Sequence, residues 1–340
     1  MKKILIFFSV MVFILVSACK EDTPTPEPTP TPSIAGVYVV GYYEDGANVK
    51  ACYWKDGIKI DLPGGITSAA EGIAVSGGSV YIAGAYYDGS NTKACYWKDG
   101  IKIDILGGSD PYANGIAVSE GSVYVVGYYY DGGNRKYCYW KNGTKIDLPE
   151  GINSHANGIT VSGGSVYITG EYYDGSTIKA CYWKDGIRTN LPEGTWSYAK
   201  GITISGGSVY IAGEYYGGSI DKACYWKDGT KIDLPVPGGA RSEAKGITLS
   251  GSSVYVAGFY VDSGGGKACY WKDGTRMDIS GGAESFAFEI TVSGGSVYVA
   301  GFYYDGSNCK ACYWKDGTKI DLSVPAGADS DATGIAVVAN

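Results

Sequence analysis

The chain has one histidine, three methionines and seven phenylalanines in 340 residues. One imidazole leaves little material for a histidine-ligated metal or a His-dependent triad. No stretch repeats apolar residues at the helical period, so no amphipathic helix is expected. The longest apolar run, Ile4 to Val16, is too short for the ~20 residues of a membrane-spanning helix. What is abundant restricts the fold as much. There are 53 glycines and 31 tyrosines, and glycine is more than twice its usual ~7% share. Glycine does not fall at every third residue, which excludes collagen. The aromatic content is too high for disorder. Such a composition predicts a repeat.

Residues 1–18 read as a targeting segment: Lys2 and Lys3, then the apolar run, then Val16-Ser17-Ala18-Cys19. That pattern fits a secretory signal. It resembles the bacterial lipoprotein lipobox, which implies cleavage after Ala18 and lipid attachment to Cys19. Acyl chains would then supply the membrane anchor, at about 0.8 kcal/mol per buried CH₂. Cleavage removes two lysines and no acid, moving the net charge from −7 to −9. That sign argues against nucleic acid as a partner. Residues 19–34 form a Pro/Thr-rich linker. Its Lys20–Ser33 stretch, in an extended polyproline II form, would reach up to ~43 Å.

Residues 35–340 are one repeat, marked by Trp54, Trp97, Trp140, Trp183, Trp226, Trp271 and Trp314. The spacings are 43, 43, 43, 43, 45 and 43 residues, in the range of four-stranded propeller blades. In the unit Gly72–Ile105 the sequence predicts four strands: Gly72–Ser76, Ser79–Tyr87, Lys93–Lys98 and Ile101–Ile105. Gly77-Gly78 and Asp99-Gly100 are hairpin signals. The first unit starts at its second strand, Val37–Gly41, and the chain ends on an unused first strand, Gly334–Val338. The predicted fold is an all-β, seven-bladed propeller whose first blade is closed by the C-terminal strand. An open solenoid would instead need capping repeats.

Positions identical in all units cannot distinguish one blade from another. The ring Cys52, Cys95, Cys138, Cys181, Cys224, Cys269 and Cys312 reads as buried, inert thiols, because equivalent positions on stacked sheets sit ~10 Å apart, beyond disulfide reach. Cys309 alone replaces a loop residue. Lys59, Lys102, Lys145, Arg188, Lys231, Arg276 and Lys319 read as a solvated outer edge. The Asp-Gly-Ser loops at Asp88, Asp174 and Asp305 are better explained by turn chemistry than by Ca²⁺. No metal and no cofactor is expected.

The connections into each first strand do vary. Aligned on the alanine before that strand, one column reads Ala69, Tyr112, His155, Tyr198, Glu243, Phe286, Asp331. Trp196, Arg241 and Phe288 lie beside it. Aromatic and arginine side chains on a rigid scaffold suit recognition. Tyr112, His155, Trp196, Tyr198, Arg241, Glu243, Phe286 and Phe288 are therefore the candidate ligand-binding residues. Unconstrained drift in loops would give the same diversity.

The run Lys93-Ala94-Cys95-Tyr96-Trp97-Lys98-Asp99-Gly100, then Ile103-Asp104-Ile105, Gly107-Gly108 and Ala113-Asn114-Gly115-Ile116, resembles the bacterial HAF extracellular repeat. Lys-Ala-Cys stands where that family has His-Ala-Phe. The resemblance covers all seven units and implies an envelope location and repeat architecture, with no activity to carry over.

The expected role is a lipid-anchored module of the bacterial envelope, at the outer membrane or cell surface, holding a glycan or a protein. One alternative is a glycan-active hydrolase or lyase using His155, Glu243, Asp329 and Asp331. The other is a structural assembly subunit.

Overall fold

The computed structural model describes residues 35–149, 155–192, 196–279 and 281–339. The signal, Cys19 and the linker lie outside the described residues. The described residues form seven four-stranded antiparallel sheets. Blade 1 contains Gly36–Asp45, Asn48–Lys55 and Ile58–Asp61, completed on its inner side by Ser330–Val338. Blade 2 runs Thr67–Ser76, Ser79–Tyr87, Thr92–Lys98 and Ile101–Asp104. Blades 3 to 7 repeat this order, with innermost strands Ser109–Ser119, His155–Ser162, Ser197–Ser205, Arg241–Ser250 and Glu284–Ser293. Each innermost strand touches the next, and the C-terminal one touches that of blade 2. The ring is a closed propeller, as the mismatched ends of the repeat predict.

The third strand explains the packing. Cys52 and Trp54 join a cluster with blade 7, while Ala51 and Tyr53 face blade 2. A period-2 strand buried on both faces needs apolar groups at every position. All seven repeat tryptophans are at most 1% exposed. Most of their indoles also latch the chain: Trp97 Nε1 donates to Pro63 O (2.8 Å) and Trp271 Nε1 to Pro235 O (2.9 Å), each in the connection entering its blade. The seven cysteines beside them are free and buried. Burial pushes the thiols of Cys52, Cys95, Cys138, Cys181, Cys269 and Cys312 well above the ordinary range, so they act as small apolar groups.

The uniform underside is also structural. In the Asp-Gly turns both residues have positive φ, as a type I′ hairpin requires; Asp99 and Gly100 are at 51° and 80°. The aspartate then accepts the amide of the second strand, Val80 N to Asp99 Oδ1 at 2.9 Å. Asn142 does the same for Val123 in blade 3.

Two expectations change. The outer lysines are not simply solvated. Lys59 lies 3.8 Å from the centroid of Tyr43, Lys145 3.5 Å from Tyr129, and Lys319 3.2 Å from Tyr303, each also paired with an aspartate of its own strand. The long aliphatic stem lets a charge at the edge fold back over an aromatic face. Cys309 begins a third strand, half-buried, with its amide donating to Asp329 Oδ1. The turn loops hold as read: Asp88, Asp174 and Asp305 each accept two backbone amides from the residues that follow.

Candidate functional site

The innermost strands are longer than the sequence suggests. That of blade 2 begins at Thr67, not Gly72, with a register shift between Ala70 and Gly72. The diversified column is therefore not loop. Tyr112, His155, Tyr198, Glu243 and Phe286 stand on strands, beyond a bulge that re-aims them, and Phe288 is the bulged residue of blade 7. The bulge breaks the two-residue alternation, which hides the upper half of each strand from a pattern search.

Glycine makes this seat possible. Gly41, Gly84, Gly127, Gly170, Gly213, Gly258 and Gly301 each pair opposite the alanine that follows the column residue. A Cβ there would lie 1.7 to 2.1 Å from the carbonyl oxygen of the column residue. The next residue along is a second diversified column: Tyr42, Ala85, Tyr128, Glu171, Glu214, Phe259 and Phe302. Each pairs across the strands with the first, for example Tyr112 with Tyr128 and His155 with Glu171. Sequence reasoning missed this column because it continues an apolar strand; its variation after an invariant glycine was the available signal.

The two columns ring the upper mouth of the axial channel, and they are not uniform. Blades 3 and 4 bring together a run of aromatic contacts. Tyr112 stacks on Tyr128 (5.6 Å), Tyr128 tilts against Tyr137 (5.9 Å), and Tyr137 stacks on His155 (5.4 Å). Arg135 lies 4.5 Å over Tyr128 and donates to Tyr130. Blades 6 and 7 carry four phenylalanines, with Phe259–Phe286 at 4.9 Å, Phe286–Phe302 at 5.0 Å and Phe288–Phe302 at 5.7 Å.

Between them, blades 4 to 6 hold charge. Glu171 accepts from Asn157 Nδ2 at 2.8 Å and lies 3.4 Å from His155 Nδ1. Lys200 Nζ stands 3.8 Å from Glu214 Oε1. Glu243 accepts from both Arg241 and Lys245, and Arg241 also meets Asp221 at 2.9 Å. Burial, more than any neighbour, pushes Glu171 up to about 7 and raises Glu214. His155 is lowered, by burial first and then by Arg135 and Lys200. The Glu214 Oε2 atom is buried without a hydrogen-bond partner.

Below the mouth lies a cavity of about 270 Å³, lined by Glu71, Asn114, Asn157, Glu289, Thr333 and a girdle of glycines and isoleucines. Gly72, Gly115, Gly158, Gly201, Gly246 and Gly334 occupy one ring where neighbouring backbones nearly touch; a Cβ on Gly158 or Gly201 would lie 2.7 Å from the next blade's carbonyl. Blade 7 puts Glu289 in this ring instead. Burial pushes its carboxyl up to about 7.

Trp196 sits at the rim, 42% exposed, its carbonyl accepting from Tyr216. The four residues of the hydrolase alternative fall into separate contacts: His155 with Glu171, Glu243 with Arg241 and Lys245, Asp329 with Cys309, and Asp331 with Tyr42.

No family model and no curated protein matches the chain. Solved structures match at low identity. The β-propeller domain of the Trilobed protease from Pyrococcus furiosus is 12% identical, with a TM-score of 0.55, covering 85% of this chain and 94% of that one. That domain has an open velcro topology, whereas here the C-terminal strand closes the first blade. An acylaminoacyl peptidase is 14% identical with a TM-score of 0.51, over 84% of this chain and 52% of that one. TolB from Acinetobacter baumannii is 12% identical with a TM-score of 0.47, over 72% of this chain and 63% of that one. The first two likenesses agree with the β-propeller fold.

Proposed function

We propose that this chain is a ligand-binding propeller of the bacterial envelope, lipid-anchored through Cys19, and that its upper channel mouth holds a glycan or a protein segment. The observation that carries the reading is where the blades differ. The underside turns, the tryptophan latches and the buried cysteines repeat from blade to blade. Aromatic, charged and phenylalanine sectors alternate only around the mouth. A rigid ring with one diversified face suits recognition. The lipobox resemblance supports the anchor, and the HAF-like repeat supports an extracellular setting.

The test is binding of the full-length, detergent-solubilised chain to glycan and peptide arrays. Trp196→Ala, Tyr198→Ala and Tyr112→Ala should each weaken capture at least tenfold while melting like the parent. Unchanged capture in all three removes the upper face from the reading. Labelling with radioactive palmitate in a bacterial host, lost in Cys19→Ser, tests the anchor separately.

One observation favours a hydrolytic reading: Glu171, with a carboxyl near neutrality, lies in the same mouth as Glu214. Glycoside hydrolysis uses a pair of carboxyl groups, one of them raised so that it can act as the acid. Release of sugar from a captured glycan, abolished in Glu171→Gln, would move the protein into that class.

A further inference from the structure

The ring of bulky residues around the mouth has one gap. Six blades carry Tyr, Phe, His, Glu or Asp at one or both diversified positions, while blade 2 carries alanine at both, Ala69 and Ala85. The gap is a hollow of about 280 Å³ over the upper edge of blade 2. Tyr112 from blade 3 forms one wall and Val49 from blade 1 another. It opens to solvent beside Tyr87, which is 38% exposed.

We propose that this hollow is a subsite for a single neutral sugar ring, and that it supplies the specificity of the upper-face binding on which the inference rests. Three features fix the class. Among the described residues no charged side chain lines the hollow, so its lining has nothing to pair with a phosphate, a carboxylate or an amine. Its volume is just below the ~300–1,000 Å³ of sites for drug-sized ligands, which suits one ring rather than a chain. Its walls combine aromatic rings with two hydroxyl-bearing residues, Thr67 and Thr92. A pyranose presents a C–H face to an aromatic ring and hydroxyls to hydroxyls; an apolar peptide side chain would leave those hydroxyls unmatched.

The aromatic wall is fixed before any ligand arrives. Tyr112 stacks on Tyr128 at 5.6 Å with the rings 7° from parallel, and its phenol donates to Glu71 of blade 2. A platform held at both its face and its hydroxyl loses little freedom on binding.

The experiment is saturation-transfer NMR on the full-length chain in detergent, with the methyl glycosides of glucose, galactose, mannose and N-acetylglucosamine as probes. At least one should receive transfer. Ala69→Tyr, which gives blade 2 the residue of blades 3 and 5, should weaken that probe at least tenfold while the melting temperature holds or rises. Ala85→Phe fills the same space from the floor, as Phe259 and Phe302 do in their blades, and serves if the first variant misfolds. Asp99→Asn, in an underside turn, should leave the monosaccharide signal unchanged. Transfer to none of the four probes, or transfer that survives both filled variants, overturns the subsite. Array capture that still depends on Trp196 and Tyr198 would then keep the upper-face reading alive. Capture of peptides alone would overturn the sugar assignment.

Discussion

His155 Nδ1 stands 3.4 Å from Glu171 Oε1, across the first two strands of blade 4. The distance is that of an ion pair, but the environment opposes one. Burial pushes Glu171 up to about 7, and burial with Arg135 and Lys200 lowers His155. At pH 7 the imidazole is therefore neutral and the contact is not an ion pair. His155 is the single histidine of the chain, so its ring resonances need no assignment. An NMR titration should give a midpoint below 6.5, the ordinary value. A midpoint at or above 6.5 would show that the carboxylate wins and that the pair is ionised.

Glu289 makes a prediction about stability. The other six blades carry glycine at its position, and its carboxyl sits in the channel wall with the Ile290 amide as its polar contact. Burial raises it to about 7. A carboxyl raised in the folded state binds a proton that the unfolded chain releases, so stability falls as pH rises from about 4.5 to about 7 and is level above that. Glu289→Gln keeps the acceptor and removes the titration. Urea melts should show the variant about 1–3 kcal/mol more stable than the parent at pH 8 and equal to it at pH 4. The same difference at both pH values would mean that charge is not the cause.

The repeat, its closure and the buried tryptophan and cysteine rings were legible in the sequence because each rests on a rule that seven copies restate. The site was half legible. Tyr112, Tyr198 and Glu243 stood out by varying, yet they read as loop because Asn114, Lys200 and Lys245 break the apolar alternation just before the glycine bulge. Glu171 and Glu214 were hidden for the opposite reason: they sit in a strand whose pattern reads as core. Their partners come from facing strands and adjacent blades, and pairing across that distance leaves no local mark. The same holds for the lysines that fold over Tyr43, Tyr129 and Tyr303.

The underside turns offer an internal control. Asp99 has φ of 51° and accepts Val80 N; Asn142, with φ of 49°, accepts Val123 N in the same way. Asn tolerates left-handed backbone as Asp does, and Ala does not. Asp99→Asn should therefore fall within about 0.5 kcal/mol of the parent. Asp99→Ala should lose about 1–3 kcal/mol, from strain and a missing bond. Equal losses would mean that the charge of Asp99 matters and that its turn geometry does not.

The closing strand can be tested by removing it. Ser330–Val338 gives blade 1 its innermost strand, placing Ala332 and Ile335 in the core, at 0% and 5% exposure. Its Ser330 Oγ also accepts the Ala311 amide of blade 7 at 2.9 Å. A chain stopped after Asp329 leaves Gly36–Asp45 with an unpaired edge beside a vacated groove. Such an edge recruits another strand. The truncated protein should therefore elute as higher oligomers and melt less cooperatively. A synthetic peptide spanning 329–340, added in trans, should restore a monomer. If the truncated chain stays monomeric with the parent's melting temperature, closure contributes nothing, and the blade interfaces alone hold the ring.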